Sequence, residues 1–307
     1  MDPRHALGRV AVLAAALLGV NAVAGDREPQ AEPLIIGQSF EMRSTILNET
    51  RRINVYFPPG FTAGGPRALP VLYMPDGGMT EDFLHVAGLI EVSVGNNTMR
   101  PWLLVGIENT ERRRDLTGPT DNESDRQIAR HVGGSQCYRD FIRRELMPEI
   151  RVRYRTTEET GIVGESLAGL FVVESFVLEP DLFDRYVAID PSLWWNRRQL
   201  IQEAGSRLFD AALDGKSLYV ATSPDADVAD FSELLDSRRA AGSLAGLEFR
   251  FRQFPEETHA TIYHLAALAA FRSMLSTPVK PGVRAARSVI PVVMPRRLVD
   301  GACVGTS

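Results

Sequence analysis

The sequence predicts an α/β domain: a mainly parallel sheet with helices on both faces and an antiparallel hairpin at one edge. Three observations carry that expectation. Short runs rich in β-branched and aromatic residues alternate with longer stretches of helical periodicity. One of those stretches, Leu167–Leu178, is apolar nearly all round, as a helix buried against a sheet must be. The composition, 44% hydrophobic and 24% charged over 307 residues, is that of a globular chain long enough for one large domain or two small ones.

Arg4 and Arg9 precede the apolar run Val10 to Val20, and Ala22-Val23-Ala24 supplies small residues before Gly25. A basic start, a short apolar stretch and an A-x-A site together predict a secretory signal peptide over residues 1–24. The run is short for a spanning helix, which needs about 20 apolar residues, so no stable membrane insertion is expected after cleavage. The mature protein is expected to work in the periplasm or as a secreted protein.

The domain is expected over residues 25–276. The turn-like Leu47–Arg51 segment separates the first two extended stretches, which predicts the edge hairpin. Strands are predicted at Arg52–Phe57, Val71–Met74, Leu103–Ile107, Gly161–Val163, Tyr186–Ile189, Leu218–Ala221 and Phe249–Phe254. In Cys137–Val152, Phe141, Ile142, Leu146 and Ile150 form one apolar stripe, and Ala260–Leu275 repeats the pattern with Ile262, Leu265, Ala266, Ala269 and Leu275. A further helix is placed around Val228–Arg239. The polar loop Asp115–Gly134 reads equally as a lid or as a solvated surface excursion. Residues 277–307, with Pro278, Pro281, Pro291 and Pro295 among Arg and Val, read as a flexible tail with a short β segment at Val289–Met294.

Several function classes drop out. A net charge of -5 gives no reason to expect a nucleic-acid partner. Two cysteines, Cys137 and Cys303, exclude a disulfide scaffold and a cysteine zinc cluster, and a bridge between them is not expected. No H-E-x-x-H, phosphate loop or dinucleotide fingerprint is present, so neither metal nor organic cofactor is expected.

What remains is one constellation with chemical logic. Thr160-Gly161-Ile162-Val163-Gly164-Glu165-Ser166-Leu167-Ala168-Gly169-Leu170 joins a short strand to the buried helix. Gly164 and Ala168 flank Ser166 two positions away on either side, a nucleophile-elbow pattern with Ala in the last place. The Leu167 amide, at the helix N-terminus, is positioned to hold an oxyanion. Of the five histidines, His5 lies in the leader, while His85 and His131 precede Ser166. His259 follows the last strand and is read as the general base. His264, five positions on, is off the face of His259 and is read as a packing or surface histidine. The acid is expected after the strand Leu218–Ala221, with Asp225 first and Asp227 second; either could instead cap the next helix. Asp190 is a third candidate, in a context that also reads as a simple turn.

The chain resembles the α/β-hydrolase esterase family that includes esterase D, feruloyl esterases, mycolyltransferases and the periplasmic ferri-siderophore esterases. The resemblance is carried by Val71-Leu72-Tyr73-Met74-Pro75-Asp76-Gly77-Gly78, by Gly106-Ile107-Glu108-Asn109-Thr110 through Arg114-Asp115-Leu116-Thr117, by the elbow with Leu170-Phe171, and by Asp190-Pro191-Ser192-Leu193-Trp194-Trp195. It covers about residues 34–275, and the Arg-Asp-Leu-Thr and Pro-Ser-Leu-Trp-Trp segments are nearest the siderophore-esterase branch. It implies the α/β-hydrolase fold, hydrolysis of a small-molecule carboxylic ester, and a second oxyanion amide at Gly77 or Gly78. Arg114, Trp194 and Trp195 are the residues expected to meet substrate, although the two rings read equally well as packing over the sheet edge. The family usually has His before the nucleophile and Gly two positions after it; here these are Glu165 and Ala168. Glu165 either opposes anionic substrates or faces solvent. Two other uses of the same residues stay open: acyl transfer to an alcohol, and a non-catalytic binding protein on a hydrolase fold.

Overall fold

In this computed structural model the described residues are 31–208, 213–226, 228–242, 244 and 246–276. The expectations for the signal peptide, the tail, Asp227 and Cys303 fall outside them. The chain divides into two units, Met1–Ile35 and Ile36–Ser307. In the first, residues 31–35 have no regular structure. Every helix and strand described belongs to the second.

Eight strands form one sheet: β1 (Gly37–Ser44), β2 (Glu49–Tyr56), β3 (Leu69–Met74), β4 (Leu103–Ile107), β5 (Thr156–Glu165), β6 (Arg185–Ile189), β7 (Ser217–Thr222) and β8 (Glu248–Gln253). Their order is β1-β2-β4-β3-β5-β6-β7-β8. β1 pairs antiparallel with β2, and β2 antiparallel with β4; the pairs from β3·β4 through β7·β8 are parallel. The fold is the expected α/β-hydrolase arrangement with its antiparallel edge. The hairpin turn is tighter than the sequence suggested, because Glu49, Thr50 and Arg51 already pair with Ser44, Arg43 and Met42. Every residue of β3, β4 and β7 is buried, as strands covered on both faces must be.

Two apolar layers sandwich the sheet. On one face, α1 (Phe83–Gly95) and α9 (Ile262–Met274) bury Phe83, Val86, Ile90, Ile262, Ala266 and Phe271 against Leu72, Leu104, Val163 and Val187. On the other, α4 (Ser135–Phe141), a π turn at Ile142–Leu146 and α5 (Met147–Arg153) run as one helical stretch. That stretch packs with α6 (Leu167–Leu178), α7 (Trp195–Arg207) and α8 (Ala229–Ala240).

The 115–134 loop runs over the surface, with Asp121, Glu123, Ser124, Arg126, Gln127, Arg130 and His131 exposed, but it is anchored by buried residues. It contains α3 (Glu123–Arg126), following the short α2 (Arg112–Asp115), and buries Asp115, Leu116, Thr117 and Asp125. Arg51, wholly buried, is paired with the Asp115 carboxylate, and the Asp125 carboxylate accepts from the Thr120 hydroxyl and the Asn196 amide. Buried charges need such partners, and here they pin the loop to β2 and to the start of α7.

Candidate active site

β5 ends at Glu165, α6 begins at Leu167, and Ser166 alone makes the turn between them. Its φ and ψ are 60° and -119°, a conformation that L-residues rarely adopt. Two glycines permit it. A Cβ on Gly164 would lie 2.6 Å from the Ala168 backbone, and one on Gly169 would lie 2.8 Å from the Ile189 carbonyl oxygen. Ala168 itself fits, fully buried. The Ser166 amide donates to the Ile189 carbonyl at 3.0 Å, and the Ser166 carbonyl accepts from the Ser192 amide at 3.0 Å, so the turn is stitched to the end of β6.

Ser166 Oγ lies 3.0 Å from His259 Nε2. His259 stands in the turn before α9, where Ile262 donates its amide to the Thr258 carbonyl and Thr258 donates its amide to Thr261 Oγ1. Its Nδ1 lies 2.7 Å from Asp190 Oδ2. A carboxylate can only accept there, so Nδ1 carries the proton and the lone pair of Nε2 faces the serine hydroxyl.

The acid facing the imidazole is therefore Asp190, not Asp225. Asp190 follows the last residue of β6, the strand beside the one that carries Ser166, and its side chain is fully buried. The Ser223 amide and hydroxyl donate to it at 2.6 and 2.8 Å, which satisfies a charge taken out of water. Asp225, one strand farther out and exposed, instead accepts from the His259 backbone amide at 2.9 Å. It fixes the loop, not the ring. The sequence signal for Asp190 was its place immediately after the buried run Tyr186–Ile189; what hid it was the following Pro191, which made a plain turn equally good.

Other expectations need correction. The Gly77 amide is spent on the Ile107 carbonyl at 3.0 Å, so Gly77 cannot offer it to an oxyanion. The Gly78 amide donates to Glu81 Oε2 at 2.7 Å. Arg114, expected to meet substrate, is held by Glu49 at 2.8 Å and Asp115 at 2.7 Å. Trp195 is buried and donates its indole N–H to the Gly118 carbonyl at 2.9 Å. It lines a cavity of about 290 Å³ with Leu170, Leu178 and Leu200, which neither Ser166 nor His259 lines. Trp194 is half exposed, its ring tilted 57° to that of Trp195. His264 stacks on His85 with 3.1 Å between ring nitrogens.

The surroundings of Ser166 are acidic. Glu165 Oε1 lies 3.5 Å from His259 Nε2. Burial pushes the Glu165 carboxyl up to about 7, against the opposing pull of His259 and Arg112. Burial, reinforced by the charge of Asp76, also raises Asp82. Arg112 grips Asp76 through two bonds of 2.7 and 2.8 Å. Among the described residues no group of three or more His, Cys, Asp or Glu is arranged to hold a metal, and no helix is long and apolar enough to cross a membrane.

The chain is similar to several known esterases. The chain is 25% identical to the ferri-bacillibactin esterase BesA of Bacillus subtilis over 256 residues, 74% of this chain and 86% of that protein. It is 30% identical to the siderophore triacetylfusarinine C esterase of Aspergillus fumigatus over 202 residues, 59% of this chain and 63% of that one. Among solved structures, an IroE-like serine hydrolase from Shewanella oneidensis superposes with a TM-score of 0.68 at 28% identity, covering 78% of this chain and 80% of that chain. The model of the esterase family, described as "Putative esterase", matches residues 44–228. That match takes in well over half the chain, from the end of β1 to the residue before α8, and the protein therefore belongs to the esterase family.

Proposed function

We propose that the protein is a serine hydrolase that cleaves carboxylic esters through an acyl-enzyme, with Ser166 as nucleophile, His259 as general base and Asp190 as the residue that orients and stabilises the imidazole. The observation that carries this reading is the unbroken run Ser166 Oγ to His259 Nε2, 3.0 Å, and His259 Nδ1 to Asp190 Oδ2, 2.7 Å, built on a turn of unfavourable φ. Serine attacks the ester carbonyl as Nε2 takes its proton. The imidazolium then protonates the leaving alcohol, and water repeats the cycle on the acyl-enzyme. The oxyanion is held by the Leu167 amide at the start of α6, where the helix dipole adds to the hydrogen bond. Trp194 stands on the turn that begins at Ser192 and supplies an aromatic wall at the rim.

The relatives named for siderophore esters support a small-molecule ester of that kind as substrate. The leader-like residues 1–24 support action in the periplasm or outside the cell. Ser166→Ala is expected to reduce hydrolysis of a short p-nitrophenyl ester by about 10³-fold or more with the fold intact by circular dichroism. Undiminished hydrolysis by that variant rules the assignment out. Product analysis with an added acceptor alcohol separates hydrolysis from acyl transfer.

A further inference from the structure

Resting on that reading, we propose that Glu165 makes the site selective for esters carrying a positive charge close to the scissile carbonyl, over neutral isosteres and above all over anionic esters.

The argument starts from position. Glu165 is the last residue of β5 and its side chain is largely buried beside the nucleophile. Its Oε1 is 3.5 Å from the same His259 nitrogen that faces Ser166 Oγ at 3.0 Å. An acyl or alcohol group bonded at the reaction centre therefore lies within a few ångströms of this carboxylate, in a site partly shielded from water. The charges facing Glu165 are His259 from the turn before α9, Arg112 from α2, Asp82 from the segment before α1 and Asp190 from the end of β6; the buried phenol of Tyr263 on α9 senses it as well. The one permanent cation of this set, Arg112, is clamped through two bonds on Asp76, so its charge is already matched, while His259 is neutral when it serves as base. Asp190 is held by His259 and Ser223. What a bound substrate meets is an excess of negative charge, with Glu165 its nearest member. A cationic substituent gains from that field and a carboxylate loses, while a neutral isostere feels neither.

The test uses the full protein and three acetate esters of matched size: choline acetate, its 3,3-dimethylbutyl carbon isostere, and an analogue ending in a carboxylate. The readout is the ratio of kcat/KM values, in which changes of His259 protonation common to all three cancel. Well above the Glu165 titration, at about pH 8.5, wild type is expected to prefer the ammonium ester over the carbon isostere by about tenfold or more, and to disfavour the carboxylate by a similar factor. Glu165→Gln is expected to bring both ratios to within about threefold of unity. In wild type the ratios are expected to shrink toward pH 6, as the Glu165 carboxyl protonates; this arm needs no variant to fold. Ratios near unity in wild type at high pH, or preferences that persist in Glu165→Gln, overturn the proposal while leaving the esterase reading standing. Failure of even the neutral ester to be hydrolysed in a Ser166-dependent way overturns both.

Discussion

Asp190 and Asp225 show how two carboxylates in similar sequence contexts take different places at one histidine. Both follow a buried strand, and both touch His259, one at the ring and the other at the backbone amide. Only Asp190 is buried and bonded to Nδ1, so only it can fix the tautomer that leaves Nε2 free to accept the serine proton. Asp190→Asn is expected to lower kcat for ester hydrolysis by about 10³–10⁴-fold, because the amide favours the wrong tautomer. Asp225→Asn removes a single exposed contact and is expected to cost about tenfold or less. Steady-state kinetics on the two variants decide the matter: equal losses, or a larger loss at Asp225, contradict the assignment. Ser166 and His259 were legible in the sequence because each has a local signature, a small-x-Ser-x-small turn and the first histidine after the last strand. Asp190 was not singled out because its role depends on β6 lying beside β5, and adjacency of strands is not written in either segment.

At the scale of elements, the buried ones were the readable ones. Leu103–Ile107 and Leu167–Leu178 are found with the ends their composition suggested, since continuous burial imposes continuous apolarity. α7 was hidden for the opposite reason. Its first turn carries Asn196, Arg197 and Arg198 at positive φ, a conformation tied down by Asp125 and Gln199 and not by local propensity. In the 115–134 loop the sequence did not show which polar residues turn inward: Asp115 pairs with buried Arg51 and Asp125 accepts from Thr120 and Asn196, while most of the others face solvent. Within the elbow, β5 and α6 approach until there is no room for a methyl group on Gly164. Gly164→Ala is accordingly expected to destabilise the fold by about 1–3 kcal/mol, lowering the melting temperature by several degrees and displacing Ser166. A thermal melt unchanged from wild type contradicts that account of the turn.

The whole molecule explains why these residues converge. Chain order and sheet order part at β3: β4 lies to one side of it and β5 to the other. Connections leaving the carboxyl ends of neighbouring strands in opposite directions open a crevice there, the place where α/β sheets hold their ligands. The loop after β3 brings Asp76, Gly78 and Glu81; β5 brings Glu165 and Ser166; β6 brings Asp190; the turn after β8 brings His259. Alternation of strands and helices made the parallel sheet legible, yet the strand order needed the crossovers themselves. The central claim is that this convergence makes Ser166 a nucleophile activated by His259. Labelling of the full protein with a fluorophosphonate, followed by peptide mapping, tests it most directly. The account predicts one adduct, on Ser166, lost in Ser166→Ala and formed about 10²-fold or more slowly in His259→Ala. An adduct elsewhere, or labelling of Ser166 at an unchanged rate without His259, would contradict it.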